Sequence, residues 1–206
     1  MNITLSNGIE MPAVGIGTFL MTPKQAEEAV YTALTNGYRL LEKAYKGGKI
    51  RSIGISNFHD EKLERLLAEC EIKPHVIQLE EHPYFSDTKT LDMLKPYGVK
   101  LMAWYPLGHG DKALLEEPVF AKLAAKYKKT AAQIILRWHV QNGTAVIPGS
   151  VNPEHIRENA DIFDFALAKE EMERIDALNK NIRYYNSTPE MEEQYAAFAI
   201  DLDSQE

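Results

Sequence analysis

Residues 50–84 read IRSIGISNFHDEKLERLLAECEIKPHVIQLEEHPY, and the reading of this stretch decides the fold class. IRSIGIS is a short, mostly apolar run rich in β-branched residues, and it leads into Ser56-Asn57-Phe58. His59 to Cys70 follows with helical periodicity, because Leu63, Leu66 and Leu67 fall on one face. A second apolar run, His75 to Leu79, ends in a carboxylate-rich turn, Glu80-Glu81-His82-Pro83-Tyr84. Strand, helix and strand in this order predict a βαβ unit with parallel strands and a right-handed crossover. The polar residues gather at the strand ends, where an α/β protein keeps its chemistry.

On the C-terminal side the pattern repeats. Asp87 to Tyr97 reads as a helix capped by Ser86 or Asp87, and Val99 to Tyr105 as a strand that runs into Pro106-Leu107-Gly108-His109-Gly110. Val119 to Lys128 is helical, and Thr130 caps a further helix with Ala131, Ile134, Ile135 and Trp138 inward. Thr144 to Pro148 forms a short strand before Gly149-Ser150. Asn152-Pro153 then starts a helix by pairing a cap with a first-turn proline. Lys169 to Leu178 is the last helix, and a polar and aromatic tail covers 183–206.

On the N-terminal side, Asn7-Gly8 within residues 3–11 predicts a β-hairpin, since both central positions of a type I′ turn need positive φ. Val14 to Phe19 reads as a buried strand, whose glycines either relieve crowding or admit a ligand to the backbone. Thr22-Pro23-Lys24-Gln25 opens a helix that stops near Asn36-Gly37. Tyr38-Arg39-Leu40-Leu41 begins a second strand, yet Glu42 to Lys46 already reads as a helix end. A parallel crossover needs about a dozen residues or more. Either 23–46 is one interrupted helix, or two distant pieces meet near 40–42.

Composition narrows the function classes. The 206 residues are 45% hydrophobic and 26% charged, as in an ordinary globular protein, and they suit a single domain over 1–206. A formal net charge of −7 argues against a nucleic-acid partner, which wants a basic stripe. The lone cysteine, Cys70, makes no internal disulfide and suits a reducing compartment. No apolar run approaches the ~18 residues of a membrane span, and no signal-peptide core opens the chain, so a cytoplasmic location is expected.

Four ordered segments carry a resemblance. IRSIGISNF, VIQLEEHPY, AWYPLG and VIPGSVNPEHIRENADIFDF resemble the second half of an aldo-keto reductase in order and spacing. MPAVGIGTF and GYRL resemble its first strand and the start of its second. The resemblance implies a (β/α)8 barrel that uses NADPH, or less often NADH, to reduce a small aldehyde or ketone to an alcohol. Ser56, Asn57 and Gln78 match the side chains that hold the nicotinamide carboxamide, and an amide's donors and acceptors suit that role. Trp104 stands where the family has a tyrosine beneath the nicotinamide ring. Tyr105, Leu107 and Gly108 match the loop over the pyrophosphate, with tyrosine in place of the usual serine. Gly17, Thr18 and Phe19 line the cleft from the first strand.

Ser150, Val151, Asn152, His155, Glu158 and Asn159 match the segment around the adenosine 2′-phosphate and adenine. Here Gly149 and His155 replace a usual lysine and arginine. A 2′-phosphate then loses charge-assisted contacts, which are about twice as strong as neutral ones. Ser150, Asn152, the helix N-terminus and Arg157 offset part of the loss, so the expected preference for NADPH over NADH is weak.

The same resemblance leaves a gap. The family's chemistry rests on an aspartate, tyrosine, lysine and histidine tetrad, and no residue of this chain matches it. Gly37-Tyr38-Arg39-Leu40 runs within two residues into EKAYKGGKIRSIG, which resembles the helix end before strand five. The expectation is an incomplete barrel of about five to six β/α units, its middle lost near 40–42; typical barrels need about 250 residues. Glu42 and Tyr45 imitate the missing aspartate and tyrosine, but the tyrosine should lie five residues after the aspartate, where Gly47 stands.

Two readings follow. Either the parent protein is a carbonyl reductase, or this chain is a catalytically dead form that keeps at most a dinucleotide cleft or acts as an interaction module. An open sheet edge predicts self-association. His82 and His109 lack metal-ligand spacing, so no metal site is expected. His139 reads as structural. Glu80 and Glu81 do not read as a hydrolase dyad, since adjacent strand residues point to opposite faces.

Overall fold

The computed structural model describes residues 2–5, 8, 10–13, 15–16, 40–41, 52, 54–69, 73–186 and 188. The Thr22-Pro23 helix, Gly17 to Phe19, Glu42, Tyr45 and Cys70 lie outside the described residues.

β1 (Asn2–Thr4) and β2 (Glu10–Pro12) pair antiparallel, with Ile3 opposite Met11. Gly8 sits between them at φ +81°. Ile3, Leu5, Met11 and Ala13 are buried with Ala103, Val140, Val146 and Ile156, so the hairpin covers one end of the main sheet's core. β3 (Gly15–Ile16) and β4 (Leu40–Leu41) pair in parallel.

Four parallel strands form the main sheet in sequence order: β5 (Gly54–Ser56), β6 (Val76–Glu80), β7 (Lys100–Trp104) and β8 (Ala145–Val146). Gly54 lets β5 approach β6, because a Cβ there would lie 2.9 Å from Val76 Cγ1. The Val146 N–H donates to the Ala13 carbonyl at 2.9 Å, joining β8 to the segment just ahead of β3. A parallel sheet with successive helical crossovers is α/β architecture in the manner of part of a (β/α)8 barrel.

Local signals account for the helices. α1 (Asp60–Glu69) buries Leu63 and Leu67 against Ile77, Leu79 and Leu101. Asp87 caps α2 (Thr88–Leu94) by accepting from the Thr90 N–H at 3.1 Å; Pro96 then lies in a 3₁₀ turn, Lys95–Tyr97. α3 (Lys112–Leu115) is a single turn capped by Asp111, and it was not legible from hydrophobic spacing because it is so short. α4 (Pro118–Tyr127) begins on its proline. α5 (Ala131–Gln141) starts with a capping box between Thr130 and Gln133.

α5 is buried more widely than one face predicts. Ile134, Ile135 and Trp138 pack with α4 residues, Phe120 and Leu123, while Leu136 and Val140 pack with the hairpin and β8. α6 (Pro153–Ala160) is capped by Asn152, and α7 (Lys169–Asp176) closes the described helices. Among the described residues, no helix is long and apolar enough to cross a membrane.

Candidate functional site

The C-terminal ends of β5 and β7 and the middle of the adjacent β6 bring four of the singled-out residues together. Ser56 is the register partner of Gln78. The Ser56 hydroxyl donates to the Gln78 carbonyl at 3.3 Å, and the Asn57 N–H donates to the same oxygen at 3.0 Å. Asn57 has φ +59°, a left-handed conformation that asparagine tolerates better than most side chains. Trp104, the last residue of β7, donates its indole N–H to Asn57 Oδ1 at 3.0 Å. Ser56 and Asn57 are exposed, while Gln78 and Trp104 are half-buried.

Aromatic rings surround Trp104. Tyr105 lies edge-on to it at 4.5 Å and Tyr185 at 5.4 Å. Tyr105 has φ +52°, a strained choice for a bulky residue, and its ring stands 4.3 Å from His109. Its carbonyl accepts from the Gly108 N–H at 2.8 Å, and the Gly108 carbonyl accepts from the Asp111 N–H at 2.9 Å. The loop after β7 is thus a tight series of turns. Gly108 has φ +62°, and a Cβ there would lie 2.6 Å from Leu114 Cδ2 and 3.2 Å from the Tyr184 ring. Leu107 is half-buried and packs against the apolar core.

Beneath this surface lie two buried carboxylate networks. Glu80 accepts the Tyr184 and Tyr185 backbone N–H groups at 2.6 and 3.1 Å and meets His82 Nε2 at 3.1 Å. The Tyr184 ring packs on His82 at 4.6 Å, and its hydroxyl donates to Asp111. Burial first, and then the Asp111 carboxylate, push the Tyr184 phenol well above the ordinary tyrosine range. Glu81 accepts from Ser86 Oγ at 3.4 Å and faces His139 Nδ1 at 3.5 Å. His139 Nε2 lies 3.1 Å from the Pro106 carbonyl, so this buried histidine supports the loop after β7. The two glutamates therefore serve separate partners rather than one another.

The segment after β8 forms a second patch. Gly149 is exposed, and Ser150 Oγ accepts from the Asn152 N–H at 3.1 Å. Asn152 Oδ1 accepts from the Glu154 N–H at 2.9 Å, so its side-chain oxygen is engaged as the cap of α6. Val151, Asn152, His155 and Arg157 are exposed and Glu158 is half-buried, whereas Asn159 is 5% exposed and lies in the interior.

Chemically, Ser56, Asn57 and Gln78 carry donors and acceptors, and Asn57 meets Trp104 at the N–H edge of its indole. That set suits a planar ring bearing an amide. The patch after β8 has hydroxyl and amide groups but no lysine or arginine at 149 or 155. Among the described residues, no three His, Cys, Asp or Glu side chains cluster as a metal site would require.

Sequence reasoning marked Tyr184 and Tyr185 only as part of an aromatic tail and missed the Glu80 tether that holds them. The available signal was the adjacent pair Glu80-Glu81 at the end of an apolar strand, because buried carboxylates must find partners.

Comparison with known proteins supplies the context. The sequence model of the aldo/keto reductase family matches residues 19–180. Glyoxal reductase of Bacillus subtilis (strain 168) is 50% identical over 146 residues, which cover 71% of this chain and 52% of that protein. Aldo-keto reductase family 1 member A1 of Sus scrofa is 38% identical over 173 residues, 79% of this chain and 53% of that protein. The chain thus spans about half the length of these curated relatives. Among solved structures, an aldo-keto reductase enzyme from a Medee basin deep-sea metagenome library superposes with a TM-score of 0.83 at 28% identity, covering 90% of this chain and 97% of that one. An aldo/keto reductase from Brucella melitensis gives 0.77 at 26% identity, covering 87% and 99%.

Proposed function

Because this chain belongs to the aldo/keto reductase family, we propose that it carries the cofactor-holding part of an NAD(P)H-dependent carbonyl reductase. The observation that carries the reading is the contact of Asn57 with both the Gln78 carbonyl and the Trp104 indole, which ties three adjacent strands together. Bound NAD(P)H would supply the hydride that reduces an aldehyde or ketone. Ser56, Asn57 and Gln78 orient the carboxamide, and Trp104 offers the face against which the nicotinamide ring lies. Tyr185, held by Glu80, adds a second aromatic edge that limits water at that face. Gly108 and the turns around it bring backbone close to the pyrophosphate, and Ser150 and Asn152 meet the adenosine end. With Gly149 and His155 in place of basic residues, discrimination against NADH is weak.

The second reading is a chain that binds dinucleotide without turnover. It is favoured by the lack of a sequence match to the catalytic tetrad and by the span of about half the relatives' length. The single-domain organisation, the lost middle near 40–42 and the cytoplasmic location remain proposals with the same support: motif order, the abrupt junction and the lone cysteine. One experiment separates the readings. Intact mass is measured on the purified chain, followed by NADPH oxidation with glyoxal, the substrate named for the Bacillus subtilis relative. Turnover at the mass of the 206 residues supports a reductase and refutes the need for the tetrad. Saturable NADPH binding without turnover supports the second reading, and no binding overturns both.

A further inference from the structure

Trp104 and Asn57 are joined by a bond that the stacking role of Trp104 does not require. An indole N–H can only donate, so the Asn57 atom it meets at 3.0 Å must be the side-chain oxygen. That settles the orientation of the amide: Oδ1 is engaged by Trp104, and the NH2 group of this exposed side chain is left to donate elsewhere. The backbone of Asn57 is held by its N–H bond to the Gln78 carbonyl, and the Trp104 ring is braced by Tyr105 and Tyr185. Both partners are therefore constrained.

We infer that Trp104 is a positioning residue for Asn57: its indole N–H holds the Asn57 amide with the donors outward, so that Asn57 reads an acceptor, the carbonyl oxygen of a ring-borne carboxamide. This role rests on the dinucleotide-binding reading of the same site. A tyrosine or phenylalanine at 104 would keep an aromatic face while losing this donor. Asn57 would then be able to turn either end of its amide to the ligand.

The test is a double-mutant cycle read by calorimetry with NADPH on the full chain. Trp104→Phe raises Kd by about fivefold alone and by less than about twofold in an Asn57→Ala background, as expected when one residue acts through the other. Equal factors in both backgrounds overturn the inference and leave Trp104 as a ring platform. Asn57→Asp is the second variant. It keeps an oxygen for the indole but presents no donor, so NADPH and its 3-acetylpyridine analogue, which retains the carbonyl, should both weaken by about tenfold. Unchanged binding of the analogue overturns the inference.

A ligand-free readout stands beside these. The chain has two tryptophans, and Asn57→Ala should shift the indole N–H resonance of Trp104 while sparing that of Trp138, which donates to Asp176. An unmoved Trp104 signal overturns the bond. Failure of the wild-type chain to bind NADPH overturns the dinucleotide reading instead, and the indole shift tells the two failures apart.

Discussion

The backbone N–H of Tyr184 donates to Glu80 Oε1 at 2.6 Å, joining positions 104 residues apart. Tyr185 gives its own N–H to the other oxygen of the same carboxylate, so one buried side chain pins the segment after the last described helix to the end of β6. A buried carboxylate is costly unless each lone pair is met. Glu80 meets that demand with two backbone donors and His82, and in doing so brings Tyr185 to Trp104.

Glu80→Gln should loosen this tether. One oxygen is replaced by an NH2 group that faces a backbone donor, leaving a buried N–H unmet at a cost of about 1–3 kcal/mol. Urea unfolding measures the loss, and tryptic cleavage after Arg183 should quicken. Unchanged stability together with unchanged cleavage would show that the tether contributes nothing.

Gly108→Ala should destabilise the chain by about 2–3 kcal/mol, combining a left-handed φ with an overpacked contact. The new Cβ would meet Leu114 Cδ2 and the Tyr184 ring. Thermal unfolding checks stability. The structure also expects a weaker Kd for dinucleotide, because the turn at Gly108 shapes the loop after β7.

Acid should remove the contribution of Glu171. Burial raises its pKa, but hydrogen bonds from Lys126 Nζ, Tyr127 Oη and the Ala168 N–H outweigh burial and hold it below the ordinary glutamate value. The folded state thus favours the ionised form, and the unfolded state binds the proton more readily. The stabilisation is complete above the unfolded pKa of about 4.3 and is lost as the pH falls through the lower folded value. Glu171→Gln should cost about 1 kcal/mol at neutral pH, discounted because Lys126 is exposed. That difference should narrow below the ordinary glutamate range, and a gap constant with pH would refute the assignment.

Cofactor choice should respond to restored charge. Gly149→Lys with His155→Arg is expected to tighten NADPH by about tenfold or more while leaving NADH nearly unchanged, since each charge-assisted bond is worth about 1.5–3 kcal/mol. Paired Kd measurements decide this. A hundredfold preference for NADPH in the unaltered chain would defeat the idea that Gly149 and His155 weaken discrimination.

Self-association is the expected behaviour of the sheet edge. Among the described residues, β5 is hydrogen-bonded to β6 alone, and a strand edge of this kind, where uncovered, offers backbone groups to a further strand. Sedimentation velocity across a concentration series should show a dimer or larger species. A monomer throughout would show that the edge is covered.

By itself the sequence determined the parts of this protein that depend on neighbours in the chain. The caps at Asp87, Thr130 and Asn152, the apolar faces of the helices, and the succession of parallel strands are all local consequences of residue type and period. The position of Ser56 and Asn57 at a strand end was legible for the same reason, whereas Gln78 sits in the middle of β6. Only the tertiary structure decided which groups satisfy the buried carboxylates. Glu80 takes Tyr184 and Tyr185, while Glu81 takes Ser86 on one oxygen and faces His139 across 3.5 Å with the other, without a hydrogen bond. It also decided that the Trp104 indole binds Asn57, across 47 positions. Periodicity says which face of an element is buried, but hydrogen-bond partners are chosen by the distance between elements, and that distance exists only once the strands and helices have packed.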